Sequence, residues 1–330
     1  MARVFSGIQP TGEMHLGNYL GAVRQWVDAQ DDNDAIYCVV DLHAITMPYD
    51  AASLADRTRR TVTILLAAGL DPARCTLFVQ SHVLAHTELT WILNCVASFG
   101  ELRRMTQFKE KSEGQESVSV GLFDYPVLQA ADVLAYDTEK VPVGDDQRQH
   151  IELARDLAIR FNHRYGETFV VPEHAVPPVG ARVMDLQNPA AKMSKSSDSS
   201  SGFIALLDDP ALITKRIKSA VTDSGTEVRF DPAAKPGVSN LLQILAATTG
   251  RPIPDLEREF ASSGYGRLKS AVAEGVVEFL RPLQERYATL AADPAEVDAQ
   301  LAVGAEKAEA IATKVLERVR RATGLLPRGG

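Results

Sequence analysis

Cysteine is scarce in this chain. Its 330 residues include three, Cys38, Cys75 and Cys95, far apart in apolar surroundings and with no CxxC pair. That spacing excludes a zinc or iron–sulfur centre and leaves buried, reduced thiols as the expectation. No run approaches the ~18 apolar residues of a membrane span. Met1-Ala2-Arg3 passes directly into Val4-Phe5 without a charged leader or a cleavage-like site, the pattern expected of a cytoplasmic chain. Nor is there a basic surplus. Lys and Arg number 35 against 43 Asp and Glu, a net charge of −8. Indiscriminate nucleic-acid binding is thereby excluded. One nucleic acid held on local patches is not: Arg103, Arg104, Lys109 and Lys111; Lys215, Arg216 and Lys218; Arg318, Arg320 and Arg321. Taken alone, each patch reads first as a solvated helix face. No internal repeat occurs.

The apolar share is 45%, ordinary for a globular protein, and the length suits one large or two moderate domains. Short β-rich runs alternate with helical patterns in the first half. Strands are expected at 3–7, 35–41, 76–81 and, more weakly, 140–144, with helices near 17–30, 51–69, 86–97 and 145–162. This alternation predicts an α/β fold with a doubly wound, Rossmann-like parallel sheet, in which ligands bind at the carboxyl ends of the strands. Past residue 188 the pattern turns helical, near 209–221, 238–249, 254–262, 265–290 and 293–324. Asp209-Pro210 and Asp293-Pro294 have the form of helix starts.

Three loops stand out. "PTGEMHLGNYLG" (10–21) follows the first strand and opens a helix. Gly7 and Gly12 permit close backbone approach to a ligand, Gly17 leaves a flat floor, and His15 and Asn18 lie near a helix amino end that favours phosphate. A plain tight turn fits these glycines equally well. "NPAAKMSKSSDSSSG" (188–202) reads as an exposed, mobile loop in which Lys192 and Lys195, among Ser194, Ser196 and Ser197, can close over a polyphosphate as its charge develops. A lysine-bearing linker is the alternative. "VPVGDDQRQHIELARD" (141–156) ends a strand at Gly144 and starts a helix with Asp145, Asp146 and Gln147. One acid is expected to cap the helix, leaving the other for ribose hydroxyls.

Together, "HLGN" (15–18) and the unbroken "KMSKS" (192–196) resemble the two signatures of class I aminoacyl-tRNA synthetases, in matching order. "FSGIQPTG" (5–12), "DLHAIT" (41–46), "GELRRMTQFKEK" (100–111), "YPVLQAADVL" (125–134), "VGARVMDL" (179–186), "IKSAVTDS" (217–224), "KPGVSNLL" (235–242) and "LRPLQERY" (280–287) narrow the likeness to the bacterial tryptophanyl branch. It covers nearly the whole chain.

The resemblance implies activation of L-tryptophan by ATP, with Mg²⁺ on the phosphates and no protein metal site, then transfer to tRNA(Trp) by a homodimer. It assigns phosphate chemistry to Lys111, Lys192 and Lys195. ATP would also meet Gln9, Pro10, Thr11, His15, Gly17, Asn18, Gly144, Asp145, Asp146, Met193, Ser194 and Ser196, with adenine at the Val183 backbone. Asp132, in an otherwise apolar segment, would accept the indole N–H; a helix cap or internal hydrogen bond is its other reading. Phe5, Gly7, His43, Val141 and Val143 would line the slot. Tyr125, Gln147 and Gln9 would hold the ammonium and carboxylate. Gln129 departs from the Met common in the branch, so its part in the pocket stays open. The implied divisions are a catalytic domain over 1–187, the lysine loop over 188–202, an anticodon-binding helical domain over 203–293, and a tail over 294–330 returning to the first domain. Two alternatives remain: a tyrosyl-tRNA synthetase, and a synthetase-like regulator that charges no tRNA.

Overall fold

The computed structural model describes residues 1–10, 12–114, 117–144, 147–175, 182–194 and 201–326. Five parallel strands form its sheet: β1 (Arg3–Ile8), β2 (Asp34–Val39), β3 (Thr76–Val79), β4 (Lys140–Pro142) and β5 (Glu173–Ala175), in the order β3-β2-β1-β4-β5. The chain leaves β1 outward through β2 and β3, then returns to β1's other side with β4, where Val4 pairs with Lys140. The reversal between β1 and β4 is a topological switch point, where the crevice of such sheets lies.

Both faces of the sheet are covered, so β2 and β3 read as nearly unbroken apolar runs. Alternate side chains feed two separate cores. Val4, Ala35, Tyr37, Val39, Leu77 and Val79 enter one; Phe5, Ile36, Cys38 and Phe78 enter the other. The first core is continuous with the helical half, through Ile213, Leu241, Leu268 and Val276. The second is closed by the helices Ala85–Asn94, Val120–Leu134 and Arg148–Tyr165.

Several boundaries differ from the sequence expectation. β2 stops at Val39 because residues Asp41–Ala44 turn into a short helix. β4 is three residues long and ends in Pro142, which has no N–H for the ladder. The apolar helix Val120–Leu134 contains Pro126, a residue that normally signals a break. The helix that follows β4 starts at Arg148, so the capping expected of Asp145 or Asp146 lies outside the described residues. Asp209 and Asp293 cap their helices as their sequence context predicts, accepting from Ala211 N and Glu296 N. Cys38 and Cys75 are buried, but Cys95 is exposed, because it ends its helix at the surface. No described helix is long and apolar enough to cross a membrane.

The last helix, Pro294–Thr323, crosses the edge strand β3 and contributes to both cores: Val297 and Leu301 to one, Ala308, Ala312, Val315 and Val319 to the other. Gly304 marks the crossing. A Cβ built there would lie 1.8 Å from Leu77 O, so only glycine lets the helix cover this edge. Arg59 pairs with Asp298 at 3.1 Å and Arg320 with Glu88 at 2.5–2.6 Å, fastening the helix along its length. Gly304→Ala should therefore cost stability on the scale of core overpacking, about 1–3 kcal/mol. Thermal unfolding checks this: a lowered melting temperature is expected, and an unchanged one would contradict the close crossing.

Candidate active site

At the β1–β4 crevice lies a cavity of about 340 Å³, within the usual range for small-molecule sites. Phe5, Gly7, His43, Tyr125, Gln129, Asp132, Val141, Val143 and Gln147 line it, as do Gln9 and Lys111. Every residue named above for the amino-acid slot thus faces one space. The cavity also takes in Ser6, Val40, Gln107, Val133 and Ile151, which sequence reasoning did not single out. Val133 and Ile151 are signalled only by helical spacing from Gln129 and Gln147.

The helix Val120–Leu134 supplies one wall. Tyr125, Gln129 and Asp132 recur along one face at helical spacing. The Tyr125 hydroxyl meets Gln107 Oε1 at 3.2 Å and His150 Nε2 at 3.0 Å. Burial pushes this phenol up to about 12. The Lys111 ammonium sits 4.8 Å from the Tyr125 ring centroid, and partial loss of solvent lowers its pKa. The residue as a whole remains exposed. Gln129 Nε2 reaches Gln147 Oε1 at 3.5 Å, so the departure from Met joins two amides across the cavity.

Asp132 is 1% exposed. Its Oδ1 accepts from Gln80 Nε2 and meets His86 Nδ1, both at 2.7 Å, while Oδ2 meets His43 Nε2 at 2.7 Å. Burial by itself would raise its pKa, but His43, followed by His86, outweighs burial and holds the carboxyl well below the usual range. Asp132 is thus bonded internally, as one of its two readings expects, and it also lines the cavity. An ionised carboxylate offers about four acceptor sites. Among the described residues three are filled, which leaves one on Oδ2.

The two signature loops touch. His15 caps the helix beginning at Leu16 in a reciprocal box: its Nδ1 accepts from Asn18 N at 3.3 Å, and Asn18 Oδ1 accepts from His15 N at 3.1 Å. At Gly17 a Cβ would stand 3.1 Å from the His15 ring and 3.4 Å from Met193 Cβ. Met193 N donates to Val183 O at 3.1 Å, and Leu16 N to Ile204 O at 2.9 Å. Gly17, Val183 and Met193 thus form one surface beside Asn18 and the exposed Lys192. Met193 is 5% exposed. This corrects the expectation of an exposed loop for that residue, since its side chain packs into the core beneath Gly17. Thr11, Asp145, Asp146, Lys195 and Ser196 lie outside the described residues. Ser194 follows Met193 in the same segment, Gly144 accepts from Gln147 N at 3.0 Å, and Pro10 is buried at the end of β1.

The basic patches divide. Arg103, Arg104, Lys109, Lys215, Lys218 and Arg321 are exposed. Arg216 instead pairs with Asp208 and stacks 4.9 Å from the Phe203 ring centroid. Arg318 binds Asp137 and Thr168 O, and Arg320 binds Glu88. These three arginines hold the fold together and do not form open basic surface.

Comparison with known proteins agrees with this geometry. The family model described as tRNA synthetases class I (W and Y) matches residues 1–281. The chain is 56% identical over 328 residues to tryptophan–tRNA ligase 2 of Streptomyces avermitilis, covering 98% of this chain and 97% of that one. Among solved structures, tryptophanyl-tRNA synthetase of Mycoplasma pneumoniae superposes with a TM-score of 0.89 at 36% identity, over 99% and 98% of the two chains. The Campylobacter jejuni enzyme complexed with ADP and tryptophan gives 0.87 at 35% identity, over 98% and 100%.

His15 provides a test of this geometry. Burial lowers its pKa from 6.5 to about 4, so the folded chain keeps the ring neutral while the unfolded chain protonates it near 6.5. Stability contributed by the neutral ring is present above 6.5 and is lost as pH falls toward 4. His15→Asn retains a capping side chain without this titration, and its melting temperature should fall less steeply over that window than the wild type's. Parallel slopes would contradict the assignment.

Proposed function

The chain belongs to the class I tRNA synthetases of the tryptophan and tyrosine family, and from that premise we propose how its site works. The activity is that of a tryptophan–tRNA ligase. The carboxylate of L-tryptophan attacks the α-phosphorus of ATP, forming tryptophanyl-adenylate and releasing pyrophosphate. A terminal ribose hydroxyl of tRNA(Trp) then takes the aminoacyl group. No side chain forms a covalent bond, so positioning and charge stabilisation carry the rate.

The open acceptor on Asp132 Oδ2 receives the indole N–H. This single site, in a slot walled by Phe5, Val141 and Val143, is the observation that carries the reading. An indole offers one donor on a large apolar ring and has no lone pair to satisfy. A phenol oxygen also needs donors, and those around Asp132 are committed to the carboxylate. Gly7 and His43 complete the slot. Tyr125, Gln147 and Gln9 hold the ammonium and carboxylate, and the Gln129 amide steadies Gln147. Adenine lies against Gly17 and the Val183 backbone, next to Met193. His15, Asn18, Pro10, Thr11 and Gly144 surround the nucleotide, and Asp145 or Asp146 takes the ribose. Lys111, Lys192 and Lys195, with Ser194 and Ser196, meet the phosphates. Mg²⁺ accompanying ATP would offset the charge of its phosphates.

Residues 1–187 act as the catalytic domain, 188–202 as the lysine loop, 203–293 as the anticodon-binding part and 294–330 as the returning tail. Exposed Lys215 and Arg103 are candidate tRNA contacts. The enzyme acts as a homodimer in the cytoplasm. Exposed Trp91, Phe99 and Val120, on neighbouring elements linked through Asn94–Asp124 and Phe99–Phe123, offer a face for the second copy.

Pyrophosphate exchange across the twenty amino acids, followed by charging of tRNA(Trp), tests the function. Tryptophan should support exchange far above every other amino acid, and charging should follow. Exchange driven better by tyrosine would overturn the assignment; exchange without charging would support the regulator reading.

A further inference from the structure

Behind the cavity wall runs a chain of hydrogen bonds between side chains. Tyr136 is 0% exposed, as are His86 and Gln80. The Tyr136 ring stacks 5.7 Å from Phe5, a residue of the slot. Its hydroxyl lies 2.7 Å from His86 Nε2, and His86 Nδ1 lies 2.7 Å from Asp132 Oδ1. Gln80 is held from the far side by Leu42 N, which donates to its Oε1 at 3.0 Å. The Gln80 amide must therefore turn its NH₂ toward Asp132.

One arrangement of protons gives every hydrogen an acceptor. Burial pushes the Tyr136 phenol well above its usual value, so it keeps its hydrogen. The ionised carboxylate only accepts, so His86 carries its hydrogen on Nδ1 and gives it to Asp132. In this arrangement Nε2 carries no hydrogen and accepts from Tyr136. Tyr136 thus selects the tautomer of His86, as outer partners do for catalytic and metal-binding histidines.

We infer that Tyr136, His86 and Gln80 are positioning residues for tryptophan selection. By filling both acceptor sites of Asp132 Oδ1, they turn the single open site of Oδ2 toward the indole N–H. The inference rests on the reading that Asp132 meets that N–H. None of the three residues lines the cavity. They act through the carboxylate, and they prevent a water or a second donor from competing for its geometry.

The test uses β-(benzothienyl)alanine, which has sulfur where tryptophan has N–H. Discrimination is the ratio of kcat/KM for tryptophan over this analogue in pyrophosphate exchange. Tyr136→Phe keeps the ring but frees the His86 tautomer, and discrimination should fall about tenfold, through KM more than kcat. Gln80→Met removes the other donor to Oδ1 and should act in the same direction, which keeps the test open should Tyr136→Phe not fold. Asp132→Asn is measured alongside. If it loses discrimination while Tyr136→Phe and Gln80→Met retain the wild-type ratio, the relay is only structural and the inference is overturned. If Asp132→Asn also retains the ratio, the N–H reading fails, and the inference fails with it. A variant that melts lower at an unchanged ratio counts against the inference as well.

Discussion

The fold is organised around a carboxylate that cannot stand alone. Asp132 is buried among apolar residues, where an unpaired charge would cost several kcal/mol or more. Its partners come from three other elements: His43 from the short helix after β2, Gln80 from the end of β3 and His86 from the start of the following helix. One charge therefore fixes where these elements meet the helix Val120–Leu134. The same contacts shape the cavity proposed for the amino acid, so on that proposal stability and recognition depend on the same atoms. Truncating Asp132 would strand three buried donors and remove the acceptor together.

The face proposed for the nucleotide is built by contact between loops that are distant in sequence. Gly17 lies against Met193, and the backbone after the lysine loop runs beside the first loop, with Leu16 N bonded to Ile204 O and Leu206 N to Met14 O. The helical half is joined at the same place. Phe203 sits 6.4 Å from His15 and carries the Arg216 guanidinium on its ring, while Gln284 binds the carbonyls of Leu206 and Asp208. The first core passes without a break from the sheet into these helices. A shift of the helical half therefore bears directly on these two loops.

Much of this was legible in the sequence, for stated reasons. Apolar runs of strand length marked β1 to β3, and Gly, Pro, His and Asn marked the strand–helix turn after β1. A lone acid in "LQAADVLAY" marked Asp132. What stayed hidden depends on distance in sequence or on competing signals. Gln80, His86 and Tyr136 carry no local pattern; only the fold brings them to Asp132. Pro126 masked the helix that bears the slot. Arg216, Arg318 and Arg320 looked like surface because charge alone does not reveal the acids facing them across the fold. Met193 looked mobile because serines and lysines flank it, yet its thioether is core. Cys95 looked buried because its neighbours are apolar, though it ends a helix at the surface.

The central claim is that one open acceptor on Asp132 takes the indole hydrogen, and nuclear magnetic resonance of bound [indole-¹⁵N]tryptophan tests it most directly. A hydrogen bond to a buried carboxylate should move the indole proton downfield of its position in free tryptophan and slow its exchange with water. An indole proton with the shift and exchange rate of the free amino acid would contradict the account.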